Sequence, residues 1–434
     1  MSHGLSNFAA HLRELIQVLV PPAPGQPGGH SDSEHESRNS DHQPGLACAS
    51  ARLRRDPQAG GSDREFQALA LELFGLQFEG NAAYRKFCLA RRATPLTVSC
   101  WRQIPALPTA AFKEFEQTCL APSERTRVFH SSGTTEHRPS RHFHGASSLA
   151  VYDASAWGWF VPHVVPDIRF VKSKLRPFSL TPPPAQAPQS SLVHMFERVR
   201  EGLGADERFY LGRVANGDWT LDLDECISRL DSAGVGGGPV LLLGTAFSFV
   251  HLLDGLAARG RSVRLPAGSR VLETGGYKGR SRTLPKTELH RLISARLGVA
   301  PTQILCEYGM SELSSQAYDN ATAPSAPIRR DPVANDQRAD SEIGAPSASR
   351  FTLHISRSFR FPPWARAQII SPETGQEVAD GETGLIRVFD LANVYSVMAV
   401  QTEDVAVRRG GGFELLGRAL HFEPRGCSVM TSDS

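Results

Sequence analysis

The chain contains no stretch of 18 uninterrupted apolar residues, so its sequence offers no candidate transmembrane helix. The most apolar region, 239–258 (PVLLLGTAFSFVHLLDGLAA), is broken by Gly244, His251 and Asp254. It reads instead as a buried strand over Pro239–Leu243, a tight turn and a helix. The N-terminus makes a poor signal peptide too: Arg13 and Glu14 interrupt its only apolar part, and residues 1–20 read as a short amphipathic helix. No charge of one sign dominates, since 47 basic and 45 acidic residues leave a net +2. That balance gives no electrostatic footprint for nucleic acid. The seven cysteines are scattered and form no CxxC pair, which argues against a zinc cluster and against a disulfide framework. A reduced, cytoplasmic setting is the expectation. Neither an internal repeat nor the GxxxxGK[ST] phosphate loop occurs.

What is present alternates in type. Residues 21–63 are rich in Pro, Gly, Ser, His and charge, and too poor in large apolar residues to offset chain entropy, so they read as a disordered linker. Residues 319–348 share that character and read as a disordered loop inserted into a core spanning 64–417. Within the core, 63–79 shows helical spacing through Phe66, Leu69, Leu73 and Leu76, and 82–92 suggests a second helix. Residues 269–276 read as a strand entering a glycine turn, 286–298 as a helix ended by Gly298, and 302–312 as a strand followed by a loop. Such alternation predicts an α/β fold with helix-covered sheets. From Trp364 onward the pattern turns β-rich, as expected of a smaller, mostly antiparallel subdomain.

Four loops carry residues suited to chemistry. In FHSSGTTEHRPSRHFHG (129–145), Ser131, Ser132, Gly133, Thr134 and Thr135 could offer backbone N–H groups and hydroxyls to a phosphate. In isolation, a loop of this kind is more often a solvated turn. In CEYGMSEL (306–313), Glu312 supplies a hard carboxylate suited to Mg²⁺, and Tyr308 a ring for a base. In ETGGYKGRSR (273–282), Gly275 and Gly276 would let a planar ligand approach the backbone. In QTEDVAV (401–407) and the GR at 417–418, Asp404 and Arg418 could both reach a ribose. Each of these three, taken alone, is explained as well by ordinary turn chemistry.

Their order changes the reading. A Ser/Gly/Thr loop, a glycine turn, YGxSE, TxD and GR follow one another as in the adenylate-forming (AMP-binding) enzymes. More closely, the chain resembles the acyl-protein synthetase family (LuxE type, long-chain-fatty-acid–protein ligases). The resemblance runs from about Phe66 to the C-terminus and includes WRQIPALPTAAFKEF, SSGTTEHRPSRH, LTPPPAQAPQSSLVHMF, TGGYKGRSR, EYGMSELSSQAYD, FDLANVYSVMAVQTEDVAV and GRALHFEPRGCS.

This resemblance implies the adenylate-forming core fold and an ATP-dependent ligase. Residues Ser131–Thr135 would grip the β- and γ-phosphates. The lysine that general adenylate-formers place after this loop is absent, so Arg138 or Arg141 would supply the cation. Gly275 and Gly276 would line the adenine and acyl carbonyl, Tyr308 would pack on the base, and Ser311 would sit by the α-phosphate. Glu312 would bind Mg²⁺, Asp404 and Arg418 would hold the ribose, and Lys278 is a weaker phosphate or carboxylate partner. Only 16 residues follow Arg418, so the C-terminal lid of CoA-forming relatives is expected to be truncated. Instead the tail, 418–434, carries Cys427, the position at which the family accepts the acyl group as a thioester. Arg425 beside it would favour the thiolate, and Gly426 would let the tail swing. The expected substrate is a fatty or other carboxylic acid, and the expected partner an acyl-accepting reductase. Two other readings stay open: an acyl- or aryl-CoA ligase of the phenylacetate type, and a non-catalytic nucleotide-binding scaffold.

Overall fold

A computed structural model describes residues 2–19, 61–131, 138–235, 237–277, 281–321 and 357–419. The fold is α/β, built around one large sheet of 11 strands. Its first part is parallel and holds β4 (Arg176–Ser179), β7 (Val240–Thr245), β8 (Arg270–Thr274) and β9 (Ile304–Tyr308), hydrogen-bonded side by side in that order. The run predicted from 239 is therefore strand β7, between β4 and β8 and buried at all six positions. Its residues divide by parity between two cores: Val240 and Leu242 enter one, Leu241 and Leu243 the other. That is the period of a pleated strand covered on both faces.

The helices that cover it are, numbering those of eight or more residues, α1 (Ser2–Leu19), α2 (Gly61–Gly80), α3 (Ala82–Ala90), α4 (Ala146–Val164), α5 (Ser191–Leu203), α6 (Leu223–Val235), α7 (Ala246–Ala258) and α8 (Lys286–Leu297). One face of the parallel sheet takes α6, α7 and α8 through Ile227, Phe249 and Ile293. The other takes α4 and α5 through Phe160 and Phe196. Local chemistry sets the ends. Thr245 closes β7 and also caps α7, its hydroxyl accepting the Ser248 N–H at 3.2 Å, so strand passes to helix with no intervening loop. Gly298 ends α8 at φ +71°, a left-handed conformation that glycine adopts without Cβ strain.

Beyond β9 the sheet turns antiparallel through β10 (Ala317–Ala321), β11 (Arg357–Arg360), β15 (Gly412–Arg418), β14 (Ala399–Arg409), β13 (Thr383–Asp390) and β12 (Ala365–Ile370). The β-rich part read from Trp364 is thus hydrogen-bonded to the parallel part through β10 and β11. Strand β10 takes in 319–321, the first residues of the expected insertion, because Asp319 is buried in an ion pair with Arg357 at 2.7 Å. Helix α2 takes in 61–63 of the expected linker. The remainder of both segments lies outside the described residues. Helix α1 buries Leu5, Phe8, Leu12, Leu15 and Ile16 in the core it shares with α2 and the antiparallel strands. A hydrogen bond of 3.0 Å between Ser6 and Tyr395 ties it there.

A carboxyl group stands inside this sheet. Glu307 of β9 is opposite Thr274 of β8, whose hydroxyl donates to it, and both are buried. Burial pushes the Glu307 carboxyl up to about 7, with the charge of Glu273 adding to the shift and the Thr274 bond and Lys286 opposing it. The folded state therefore holds this proton more tightly than the unfolded chain does. The resulting stability is complete below the ordinary carboxylate range and is lost as pH rises through about 7. Glu307→Gln should accordingly gain on the native chain by about 2–3 kcal/mol between pH 5 and pH 8. Urea unfolding at the two pH values measures this, and a pH-independent difference would refute the assignment.

Candidate active site

The glycine turn and the YGMSE loop both leave the carboxyl ends of neighbouring parallel strands, β8 and β9, and so open on the same edge of the sheet. That edge is where open α/β sheets bind ligands. At the end of β8, Gly275 (φ +66°) and Gly276 are exposed, with nothing within 4 Å of where a Cβ would stand. At the end of β9, an added Cβ on Gly309 would press on the Glu307 carboxylate, which would have to shift to make room. Ser311 and Glu312 follow, both buried, and the Ser311 hydroxyl donates to the Glu312 carboxylate at 3.0 Å.

Three elements hold this loop. The β2 (Arg127–His130) and β3 (Arg141–His144) strands pair antiparallel, with Ser131 following β2. From β3, His142 donates Nδ1–H to the Ser311 carbonyl at 2.8 Å. Burial pushes the His142 imidazole down to about 4, which keeps it neutral at physiological pH. From the far side, the Asn393 amide donates to the Glu312 carbonyl at 2.9 Å. Just past the loop, Asp390 accepts the backbone N–H groups of Ser314 and Ser315 at 2.9 and 2.8 Å and the Ser315 hydroxyl at 2.7 Å. Helix α2 supports the same region through Gln77, which bonds Asn393, Val394 and Met398 along the backbone.

Tyr308, Asp404 and Arg418 meet beside the loop. The Tyr308 hydroxyl donates to Asp404 at 2.9 Å, and Arg418 lies 3.5 Å from the other carboxylate oxygen. Strand register makes this contact, since Asp404 and Arg418 are cross-strand partners in β14 and β15. Asp404 is nearly enclosed, its side chain 13% exposed, whereas that of Arg418 is 65% exposed. Burial pushes the Asp404 carboxyl up against the opposing pull of Tyr308 and Arg418. The Tyr308 ring is buried edge-on against Phe413, with centroids 5.4 Å apart, and contacts Phe359 and Phe361 as well.

Of the residues singled out in the sequence, the structure thus brings together Tyr308, Asp404 and Arg418, places Ser311 and Glu312 on the adjoining loop, and sets Gly275–Gly276 on the neighbouring strand end. Ser131 follows β2, and its hydroxyl accepts the Ser140 N–H at 2.9 Å. Arg141 lies on β3 with its guanidinium 3.5 Å from Glu116, and Arg138 is exposed ahead of that strand. Ser132, Gly133, Thr134, Thr135, Lys278 and Cys427 lie outside the described residues. The supporting residues His142, Gln77, Asp390 and Asn393 escaped the sequence reading. The one signal for them was a polar side chain in apolar surroundings, as in VFDLANVY.

Ser311 and Glu312 form an oxygen-only donor set, the kind a hard cation such as Mg²⁺ accepts. Among the described residues no helix is long and apolar enough to cross a membrane.

No family model matches the chain, and no curated protein matches it. Solved structures do. A 2-hydroxyisobutyryl-CoA ligase in the postadenylation state, in complex with 2-HIB-AMP, aligns with a TM-score of 0.58 at 14% identity, over 87% of this chain and 72% of that one. The same ligase in an open conformation with 2-HIB-AMP and CoA gives 0.55 at 14% identity, over 87% and 79%. With 2-HIB-AMP and CoA in the thioesterification state it gives 0.58 at 14% identity, over 84% and 70%. The large sheet with its covering helices is the fold shared with these ligase structures.

Proposed function

We propose that this protein is a ligase that activates a carboxylic acid with ATP and then carries the acyl group on its own Cys427. The observation that carries the reading is the gathering of Tyr308, Asp404 and Arg418 beside Ser311 and Glu312, on the strand edge that also bears Gly275–Gly276.

A carboxylate is a poor acyl donor because its two oxygens share the negative charge. In the proposed first step one of those oxygens attacks the α-phosphorus of ATP. The bond from that phosphorus to the bridging oxygen breaks, and pyrophosphate leaves with the bonding electrons. The acyl-AMP that results has a good leaving group at its carbonyl. Asp404, fixed by the Tyr308 hydroxyl, accepts hydrogen bonds from the ribose, and the exposed Arg418 reaches the same sugar. Gly275 and Gly276 leave room for the adenine and the acyl carbonyl. Ser131–Thr135, with Arg138 or Arg141 and more weakly Lys278, bind the phosphates; Arg141 must give up Glu116 to do so. Glu312 and Ser311 would hold Mg²⁺, which when bound neutralises charge on the departing phosphates. In the second step the Cys427 thiolate attacks the acyl carbonyl and expels AMP, leaving a thioester for a reductase partner.

A CoA acceptor is the second reading, favoured by the presence of CoA in the similar ligase. A fatty acid is the substrate expected under the first reading, and another small acid fits the second.

Glu312→Ala should lower carboxylate-dependent ATP–pyrophosphate exchange by roughly 100-fold or more with the thermal unfolding midpoint retained; exchange at the native rate would remove Glu312 from the metal role. Asp404→Asn should raise the KM for ATP by roughly 10- to 100-fold, as expected for loss of charge-assisted hydrogen bonds to the sugar. With labelled acid and Mg-ATP, the native chain should acquire hydroxylamine-labile label on denaturing gels. Cys427→Ser should lose that label yet keep pyrophosphate exchange. If CoA instead takes the label at the same rate in both proteins, the second reading replaces the first.

A further inference from the structure

Directly behind the two loops lies a cluster that the reaction above does not use. Glu273 and Cys306 are register partners in β8 and β9, and His290 reaches them from α8. All three side chains are buried. The Cys306 sulfur lies 3.2 Å from the Glu273 carboxylate and 3.6 Å from His290 Nε2, and that nitrogen lies 3.5 Å from the same carboxylate oxygen. The three donor atoms therefore form a nearly equilateral triangle.

A tetrahedral zinc ion imposes almost the same triangle. With Zn–S about 2.3 Å and Zn–N and Zn–O about 2.0–2.2 Å, tetrahedral angles put sulfur about 3.6 Å from nitrogen or oxygen, and nitrogen about 3.4 Å from oxygen. We propose that Glu273, His290 and Cys306 form a binding site for a zinc-class divalent cation, which ties β8, β9 and α8 together beneath the nucleotide-facing loops. The donor set selects the metal: a thiolate and an imidazole suit a borderline-soft ion and are poor ligands for Mg²⁺ or Ca²⁺. Charge agrees as well, because one thiolate and one carboxylate cancel the two positive charges of the ion.

The surroundings say what competes with the ion. Asp319 accepts the Cys306 backbone N–H at 2.6 Å and is already neutralised by Arg357 at 2.7 Å. Lys286 is the competitor, its ammonium held against the Cys306 sulfur. Its ammonium lies over the Phe359 ring at 5.1 Å, and its charge acts on both Glu273 and Cys306. Without an ion, burial keeps the Cys306 thiol protonated, and Lys286 balances Glu273. Binding releases the thiol proton to solvent and displaces the Lys286 ammonium from the Cys306 sulfur. Ion and ammonium thus exclude each other.

The test uses the full chain, stripped with chelator and titrated with Co²⁺ as a spectroscopic probe, followed by displacement with Zn²⁺. One Co²⁺ per chain should bind with a thiolate-to-cobalt charge-transfer band and tetrahedral d–d bands, and Zn²⁺ should abolish both. Cys306→Ser should lose the charge-transfer band, while Cys226→Ser, at a buried cysteine far from the cluster in sequence, should keep it. Lys286→Met should tighten binding by about tenfold, as expected when a neighbouring like charge is removed. The proposal is overturned if the native chain shows no thiolate-to-cobalt band, or if that band survives Cys306→Ser. Cobalt binding is read without ATP or acid, so this outcome and the fate of the ligase reading are independent.

Discussion

The site depends first on one buried carboxylate. Asp390 ends β13 and gathers two backbone N–H groups and a hydroxyl from Ser314 and Ser315, and the Ala392 N–H as well at 3.0 Å. A carboxylate taken out of water is costly unless its lone pairs are filled, and here four donors fill them. The bonds join the loop after the parallel strand β9 to the end of an antiparallel strand distant in sequence. Asn393, three residues on, adds the bond to the Glu312 carbonyl. The position of Glu312 is therefore set from the antiparallel half of the sheet, the half that also supplies Asp404 and Arg418. The groups proposed to meet on one nucleotide are thus referred to a common frame.

Much of this architecture was legible in the sequence because it is local. The β7 run is apolar on both faces, α8 has its glycine stop, and the YGMSE motif marks the end of β9. The setting of Gly309 emerges only with the structure, since a Cβ there would press on the Glu307 carboxylate two residues back. Gln77, His142, Asp390 and Asn393 could not be read at all. Each is a polar side chain whose partner lies far off in the chain, as with Gln77 and Met398 or His142 and Ser311. A lone polar residue in a sequence does not name its partner.

The cysteines make the same point. The absence of CxxC spacing argues only against a zinc cluster whose ligands neighbour each other in sequence. Glu273, His290 and Cys306 come from a strand, a helix and the next strand, and parallel register together with one covering helix brings them into a single triangle. Parallel sheets do this readily, because matching positions on adjacent strands are separated by a whole crossover.

Helix α1 has a consequence for how the molecule is made. Its apolar side, Leu5 to Ile16, packs chiefly on α4 and α2, and its Ser6 hydroxyl reaches Tyr395 across a separation of 389 positions. The helix can therefore settle on α2 and α4 first, while its last contacts form only once the antiparallel strands are in place. Contacts of such long range slow folding.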